Sequence, residues 1–274
     1  MLPKRNEITM VNQDIELHTI PCLADNYAFV VYNKAQRSAL VVDVPDATPI
    51  LEMLKTFDIT SCDIFITHHH GDHIDGLSDL QSGLTAFKSR PKTQVIGALN
   101  DKYRLPDLDL AVTAGQTVKL AGFTGQIYDV SGHTIGHLAL HIEAINAVFT
   151  ADSLMAMGCG RLFEGSPQQM WDSLLQLRNL PANTLVYSGH EYTSNNMAFA
   201  LSLNEDNRAI TARASRIAKD LSEGRSTVPS LLSDELQTNP FLRADDQALQ
   251  AAIGMLGAPA AKVFATIRAK KDNF

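Results

Sequence analysis

Residues 67–73 read Thr-His-His-His-Gly-Asp-His, so four imidazoles and one carboxylate fall within one short segment. The preceding run, Asp-Ile-Phe-Ile, has the apolar character of a buried β-strand. Such groups are costly to desolvate, and packing alone gives no reason to gather five of them. They are also ligands that borderline divalent cations prefer. The segment therefore predicts a metal site at the end of a strand.

The spacing within the segment predicts how its side chains divide. Side chains two residues apart on an extended chain point to the same side, so we expect His68 and His70 to face together. His69 should point away, as a supporting or structural residue. Asp72 and His73 should then open a turn or a helix.

Three more apolar strands end in a ligand-type residue. Gln-Ile-Tyr-Asp-Val runs towards His133, Ala-Val-Phe-Thr towards Asp152, and Thr-Leu-Val-Tyr-Ser-Gly into His190. Strand ends on one edge of a sheet lie near one another, and sites form at that edge. These residues can therefore converge with the histidine-rich segment.

The candidate ligands are too many for one tetrahedral site, so the sequence predicts two divalent cations. Zinc is the first expectation, with iron or manganese as alternatives, because imidazole and carboxylate accept all three. Single histidines on strands, His18 and His141, we interpret as structural, and His137 as structural or supporting. The seven candidate ligands are His68, His70, Asp72, His73, His133, Asp152 and His190.

Composition narrows the class of protein. The chain has 274 residues, 45% hydrophobic and 19% charged, as in ordinary globular enzymes, and its formal charge of -7 disfavours nucleic acids and anionic membranes as partners. Its three cysteines are widely spaced, which indicates neither a disulfide framework nor a Cys-x-x-Cys motif. No apolar signal region follows the N-terminus, and no run of roughly eighteen apolar residues occurs. We expect a monomeric cytoplasmic protein.

The chain changes character near residue 195. Before it, short β-rich runs alternate with helical stretches, and Ser166 with Pro167 marks the start of one helix. After it, Ala, Leu and Arg recur at helical spacing, with a loop around Pro229 and Pro240. We predict an α/β catalytic domain over 1–195 and a small helical domain over 196–274.

The motifs resemble those of a known superfamily. Thr-His-His-His-Gly-Asp-His is similar to the metallo-β-lactamase signature THxHxDH, and Ser-Gly-His-Thr-Ile-Gly-His, Phe-Thr-Ala-Asp-Ser-Leu and Tyr-Ser-Gly-His-Glu-Tyr-Thr resemble its later motifs in the same order. The resemblance implies an αββα sandwich. It also implies one metal on His68, His70 and His133, a second on Asp72, His73 and His190, and Asp152 bridging them.

Within that superfamily the sequence most resembles glyoxalase II, the hydroxyacylglutathione hydrolases. The resemblance lies in the stretch after Asp152, in Gly-His-Glu-Tyr-Thr, in Asn-Pro-Phe-Leu-Arg and in the terminal Ile-Arg-Ala-Lys-Lys-Asp-Asn-Phe. It implies hydrolysis of S-(2-hydroxyacyl)glutathione by a metal-bridging hydroxide, with Asp72 and Asp152 catalytic. The helical domain would then bind substrate. The implied glutathione positions are Arg161, Phe163, Tyr192, Arg268 and Lys271.

Two of these positions depart from the family pattern. Arg161 stands where Lys is common, which keeps the charge but changes its geometry, and Phe163 stands where Tyr is common, which removes a hydroxyl. Arg268 and Lys271 are three apart on a predicted helix and should share a face. Basic groups there suit the two carboxylates of glutathione. The thiol preference could therefore differ from that of the family.

Other functions remain open from the sequence. One rival is a mononuclear-iron dioxygenase acting on glutathione persulfide, although those relatives lack Asn-Pro-Phe-Leu-Arg and the terminal Lys-Lys-Asp-Asn-Phe. Lactonases and phosphodiesterases of the fold do not explain the C-terminal domain. A non-catalytic metal-binding protein would have no reason to keep the full set of ligands. A thioester assay together with metal content separates these readings.

Overall fold

A computed structural model describes residues 7–274. The predicted absence of a signal peptide concerns in part residues 1–6, which lie outside the described residues. The described strands are β1 Glu7–Asn12, β2 Ile15–Cys22, β3 Asn26–Asn33, β4 Ser38–Val42, β5 Ser61–Phe65, β6 Lys92–Ala98, β7 Leu110–Val112, β8 Thr117–Leu120, β9 Phe123–Asp129, β10 Leu138–Ile142, β11 Ala147–Ala151, β12 Leu154–Met155, β13 Gly158–Cys159, β14 Leu185–Ser188 and β15 Ser230–Leu231. The α-helices are α1 Ala47–Leu54, α2 Gly71–Ile74, α3 Leu77–Thr85, α4 Pro167–Arg178, α5 Thr193–Ser202, α6 Arg208–Ser222, α7 Leu232–Thr238, α8 Gln247–Ala252 and α9 Ala260–Asp272.

The chain divides into two compact units. The first runs up to Asp129 and includes 138–149, and the second consists of 130–137 and 150–274. The domain boundary near residue 195 stays a prediction. No helix within residues 7–274 is long and apolar enough to cross a membrane.

The first unit contains two β-sheets. Strands β1 to β7 lie in chain order, antiparallel as far as β4 and parallel from β4 onward. Strands β11, β10, β9 and β8 form antiparallel neighbours. Phe29 on β3 meets Phe149 on β11 with ring centroids 5.6 Å apart, so the sheets pack face to face. The middle strands β3 and β4 are buried throughout, which explains the apolar runs at 27–32 and 39–42.

Parallel pairing in the first sheet positions the histidine-rich segment. Val42 and Phe65 are register partners at the ends of β4 and β5, so both following loops leave the sheet at one edge. Helix α1 follows the first loop, and Asp46 caps it by accepting a hydrogen bond from Thr48 N at 2.8 Å. Its buried face packs on β2 and α3.

The second unit is mostly helical. Ser166 caps α4, its hydroxyl accepting from Gln169 N at 3.2 Å, which confirms the predicted N-cap. Helix α4 packs against α9, α5 against α6, and α6 against α7. The short hairpin β12–β13 and the β14–β15 pair complete this unit.

The predicted elements are present with shifted ends. Strand β5 ends at Phe65, before the histidines, although Ile66 N still donates to Ile96 O at 2.8 Å. The segment between Pro229 and Pro240, predicted as loop, contains α7, because the prolines flank that helix and do not interrupt it. Strand β1 was not predicted. It pairs with β2 at the sheet edge, where only one neighbour fixes it.

Candidate metal centre

The histidine-rich segment has the predicted alternation. His68 Nε2 lies 3.2 Å from His70 Nδ1, so these two rings face together. His69 instead places its Nδ1 3.1 Å from the buried Asp101 carboxylate. Asp72 and His73 lie in the short helix α2, as expected. His69 is therefore placed as a supporting residue of this loop.

Asp43, which is not among the predicted ligands, supports two of the imidazoles. Its Oδ2 accepts from His73 Nδ1 at 2.8 Å and from the Thr67 hydroxyl at 2.8 Å, and its Oδ1 accepts from Thr67 N at 2.9 Å. The Thr67 hydroxyl proton is thereby committed, so its oxygen accepts from His68 Nδ1 at 3.0 Å. Both rings then keep an Nε2 lone pair, as a metal ligand needs.

A strand-end signal could have identified Asp43. It directly follows β4, beside the end of β5, and its φ of 58° is unusual for a residue other than glycine. Ligand atoms of Asp43, His68 and His73 lie within 4.8 Å of one another. Because the Asp43 carboxylate already accepts three hydrogen bonds, we assign it support and not ligation.

Asp72 is more open than the Asp43 and Asp101 carboxylates, which are buried. Asn26 Nδ2 donates to its main-chain oxygen and to its Oδ2, both at 3.0 Å. That Oδ2 lies 4.0 Å from His73 Nε2, and the side chain is 43% exposed. Asp72 can therefore meet both a cation and solvent.

The second unit brings its three predicted ligands together around one oxygen. Asp152 Oδ2 lies 3.4 Å from His133 Nε2 and 3.2 Å from His190 Nε2, and all three side chains are buried. His133 Nδ1 donates to the Arg161 carbonyl at 2.9 Å, which leaves its Nε2 as the lone-pair nitrogen. Imidazole nitrogens oriented in this way suit a divalent cation.

Thiol ligands play no part in these clusters. Cys22, Cys62 and Cys159 are buried, and burial raises the pKa of Cys22 to about 12 and that of Cys159 to about 11. A thiol with so high a pKa is a poor nucleophile and a poor ligand at neutral pH. Cys159 is therefore a structural residue.

Two aromatic side chains lie against ligand rings in the second unit. Tyr192 stacks on His190 with centroids 4.7 Å apart and an interplanar angle of 10°, and Phe163 lies 5.2 Å from His133. Phe163 is 63% exposed and Tyr192 40%. Large exposed rings beside metal-ligand candidates provide a surface on which a substrate can rest.

The basic candidates lie in the same unit and differ in exposure. Arg161 is exposed, with its Nε 4.0 Å from Asp272 Oδ1. Lys271 donates to Asn195 O at 3.1 Å, and burial, together with Arg268 and Arg161, lowers its pKa to about 8.

Arg268 is 5% exposed and already has partners. Its Nη1 donates to Cys159 O at 2.9 Å, and its Nη2 lies 2.9 Å from Asp272 Oδ1. Its direct contact with a substrate stays a prediction.

Both parts of the chain match models of known protein families. Residues 62–190 match the model of the metallo-β-lactamase superfamily, and residues 191–274 match the model described as the hydroxyacylglutathione hydrolase C-terminus. A hydroxyacylglutathione hydrolase from Ruegeria pomeroyi is 52% identical over 260 residues, covering 95% of this chain and 99% of the relative. A protein of the same name from Cereibacter sphaeroides is 50% identical with the same coverage.

Solved structures share the fold at low identity. ETHE1 from Myxococcus xanthus aligns with a TM-score of 0.59 and 21% identity over 98% of this chain and 100% of that chain. The B3 metallo-β-lactamase BLEG-1 aligns with a TM-score of 0.62 and 20% identity over 82% of this chain and 99% of that chain. With the family matches, these structures confirm the predicted metallo-β-lactamase fold with a C-terminal helical domain.

Proposed function

The chain belongs to the hydroxyacylglutathione hydrolase family of the metallo-β-lactamase superfamily, and we propose that it hydrolyses S-(2-hydroxyacyl)glutathione thioesters to a 2-hydroxy acid and glutathione. The observation that carries this proposal is the family match over residues 191–274, joined to relatives about half identical along nearly the whole chain. That match favours the hydrolase over the dioxygenase alternative.

The donor set fits divalent metal ions, and we propose two of them, zinc first. Support comes from imidazoles whose Nδ1 atoms are held by Asp43, Thr67 and the Arg161 carbonyl. Ions bound there would supply a hydroxide at neutral pH and positive charge for the carbonyl oxygen of the substrate. The proposed ligands are His68, His70, Asp72, His73, His133, Asp152 and His190.

We assign different tasks to the two proposed catalytic carboxylates. Asp152 Oδ2 is enclosed by two imidazoles and serves as a ligand. Asp72 is also a proposed ligand, but its side chain is 43% exposed, so its carboxylate can in addition receive the proton that the attacking water gives up. The departing thiolate needs little protonation, because thiols have a pKa near 8.5. No serine or cysteine nucleophile is needed.

The thiol half of the substrate would lie against Tyr192 and Phe163, with its carboxylates near Arg161 and Lys271. Exposed rings and exposed or half-buried cations support this placement. Arg268 would act on that surface through Cys159 and Asp272. The monomeric state, the cytoplasmic location, the absence of nucleic-acid and membrane partners, and the 195/196 domain boundary stay predictions.

Anaerobic purification, elemental analysis and a thioester assay test the proposal. We expect about two metal ions per chain and hydrolysis of S-D-lactoylglutathione. We expect Asp152→Ala to lose one or both ions and most activity, because its oxygen lies between two imidazoles, while Asp172→Ala on the exposed face of α4 changes neither. A single iron per chain with oxygen consumption on glutathione persulfide would establish the dioxygenase instead.

A further inference from the structure

The hairpin β12–β13 joins Asp152 to Arg161 and is held more firmly than a surface hairpin. Residues 154–159 are all buried. Its two-residue turn includes Met157 with φ of 57°, a left-handed conformation that a bulky residue adopts rarely and at a cost. The surroundings must therefore impose this conformation.

Two fully buried polar side chains bind the backbone of that hairpin. Glu235 Oε2, on α7, accepts from Met157 N at 2.9 Å. Asn239 Nδ2 lies 3.1 Å from Met155 O, 2.9 Å from Gly158 O and 2.9 Å from Glu235 Oε2. Together they satisfy one N–H and two carbonyl groups that have no access to water.

Arg213 on α6 neutralises Glu235 in this buried network. Its Nη2 forms an ion pair with Glu235 Oε1, and its Nη1 donates to Thr238 Oγ1 at 2.6 Å. A buried ion pair adds little net stability compared with apolar packing of the same volume. The network therefore suggests a role in fixing geometry. Met157 also packs with Ala200, Ile210 and Ile217, which anchors the turn from its apolar side.

The ends of the hairpin connect directly to the metal-ligand candidates. Thr150 Oγ1 donates to Leu154 O at 2.7 Å, and Gly160 N donates to Ser153 O at 3.1 Å, so the chain around Asp152 is closed into a tight loop.

Gly160 lies so close that a Cβ there would overlap the Asp152 carbonyl oxygen and press on His133 Nδ1. The next carbonyl, that of Arg161, orients His133. A shift of the hairpin must therefore move Asp152 and His133.

We propose that Asn239 and Glu235 are positioning residues for the reaction, which hold the β12–β13 hairpin and through it set the Asp152 carboxylate and the His133 ring. The proposal rests on the function proposed above. The C-terminal helical segment thus serves the ligand set as well as the substrate surface.

Asn239→Ala tests this assignment, with Asn207→Ala as a matched control. Each asparagine caps a helical turn through Oδ1, accepting from Phe241 N and Ala209 N respectively at 3.0 Å, and each donates through Nδ2 to main-chain oxygen. Of this pair, Asn239 donates to the hairpin, whereas Asn207 donates to Gln237 O. In the Asn239 variant we expect faster amide hydrogen exchange over 154–160 in the metal-free protein. We also expect metal affinity about 10- to 100-fold lower and a changed absorption spectrum of the cobalt(II) protein.

On S-D-lactoylglutathione the same variant should lose kcat more than it raises KM, while Asn207→Ala behaves as wild type. A folded Asn239→Ala protein with wild-type metal affinity, cobalt spectrum and kcat overturns the proposal, and so does an Asn207 variant with the same losses. If Asn239→Ala does not fold, Glu235→Gln is tested in its place. Its control is Asp234→Asn, which changes a neighbouring carboxylate that pairs with the exposed Arg216. If the wild-type protein does not hydrolyse the thioester, the proposed function is wrong but the positioning role is still tested. Hydrogen exchange and metal affinity do not depend on that activity.

Discussion

Single hydrogen bonds decide which nitrogen each imidazole offers. Asp43 accepts from His73 Nδ1 and, through the Thr67 hydroxyl, governs His68 as well. One carboxylate therefore fixes two rings from behind. Replacing it should disturb the ligand set without removing a ligand.

Asp43→Asn should lower metal affinity about 10- to 100-fold, because an amide cannot accept all three hydrogen bonds that the carboxylate accepts. Isothermal titration of the metal-free protein with zinc would measure this. Asp46→Asn, three residues further along, keeps a good N-cap for α1 and should bind zinc as wild type does. Equal zinc affinities in wild type and Asp43→Asn would show that the carboxylate does not orient the rings.

At the level of the element, α9 carries two basic residues that differ in their surroundings, although their spacing predicts a shared face. Arg268 and Lys271 both lie on this helix, yet the first is buried against Cys159 and Asp272 while the second reaches Asn195 at the surface. Their removal should have different consequences. Arg268→Ala leaves a buried carbonyl without its donor and should reduce stability. Lys271→Ala should affect recognition.

Lys271→Ala should reduce kcat/KM for S-D-lactoylglutathione about 10- to 150-fold, mostly through KM, because it removes a charged hydrogen-bond donor for a substrate carboxylate. A small thioester without the peptide should react as before. Lys270→Ala removes an exposed neighbouring charge and is the control. An equal loss of kcat/KM on both substrates would show that Lys271 does not recognise the glutathione part of the substrate.

The same prediction has a pH signature. Burial lowers the pKa of Lys271 to about 8, so its positive charge is present below that pH and is lost above it. KM for the glutathione thioester should therefore rise as the pH passes through about 8. In Lys271→Arg, which stays charged, that rise should be absent. A KM that increases equally in both proteins would assign the effect to another group.

On the scale of the whole molecule, the proposed ligands come from four separate stretches of the chain: 68–73, 133, 152 and 190. Ions that bind only the native arrangement stabilise it, by about 2.7 kcal/mol when free metal is one hundred times Kd. Protons compete for the same imidazoles, whose ordinary pKa is about 6.5. Metal binding, the stability it adds and activity should therefore all decrease over the same acidic pH range.

The Tm of the metal-loaded protein should exceed that of the chelator-treated protein at pH 7.5, and the difference should vanish as the pH falls below about 6. Activity on S-D-lactoylglutathione should decline over the same range. Differential scanning calorimetry with metal analysis measures both, and the chelated protein at each pH is the control. Full activity at pH 4.5 with the metals retained would contradict a mechanism that needs neutral imidazoles and hydroxide.

The sequence by itself determined the elements and the ligand candidates. Periodicity placed strands β5, β9, β11 and β14, because alternation and apolar runs are local properties of a chain. Ser166 followed by Pro167 likewise predicted the N-cap of α4. The strand-end rule predicted His133, Asp152 and His190 as ligands, since side chains at strand ends share one edge of a sheet.

Tertiary structure alone decided which residues support those candidates. Asn239 reaches Met155 across 84 positions and Asp43 reaches His73 across 30, separations over which no local pattern extends. Arg268 is buried and Lys271 is partly exposed, although both lie on α9. The physical reason is that helical and strand spacing depends on neighbouring residues, whereas a buried hydrogen bond depends on which distant groups packing has removed from water.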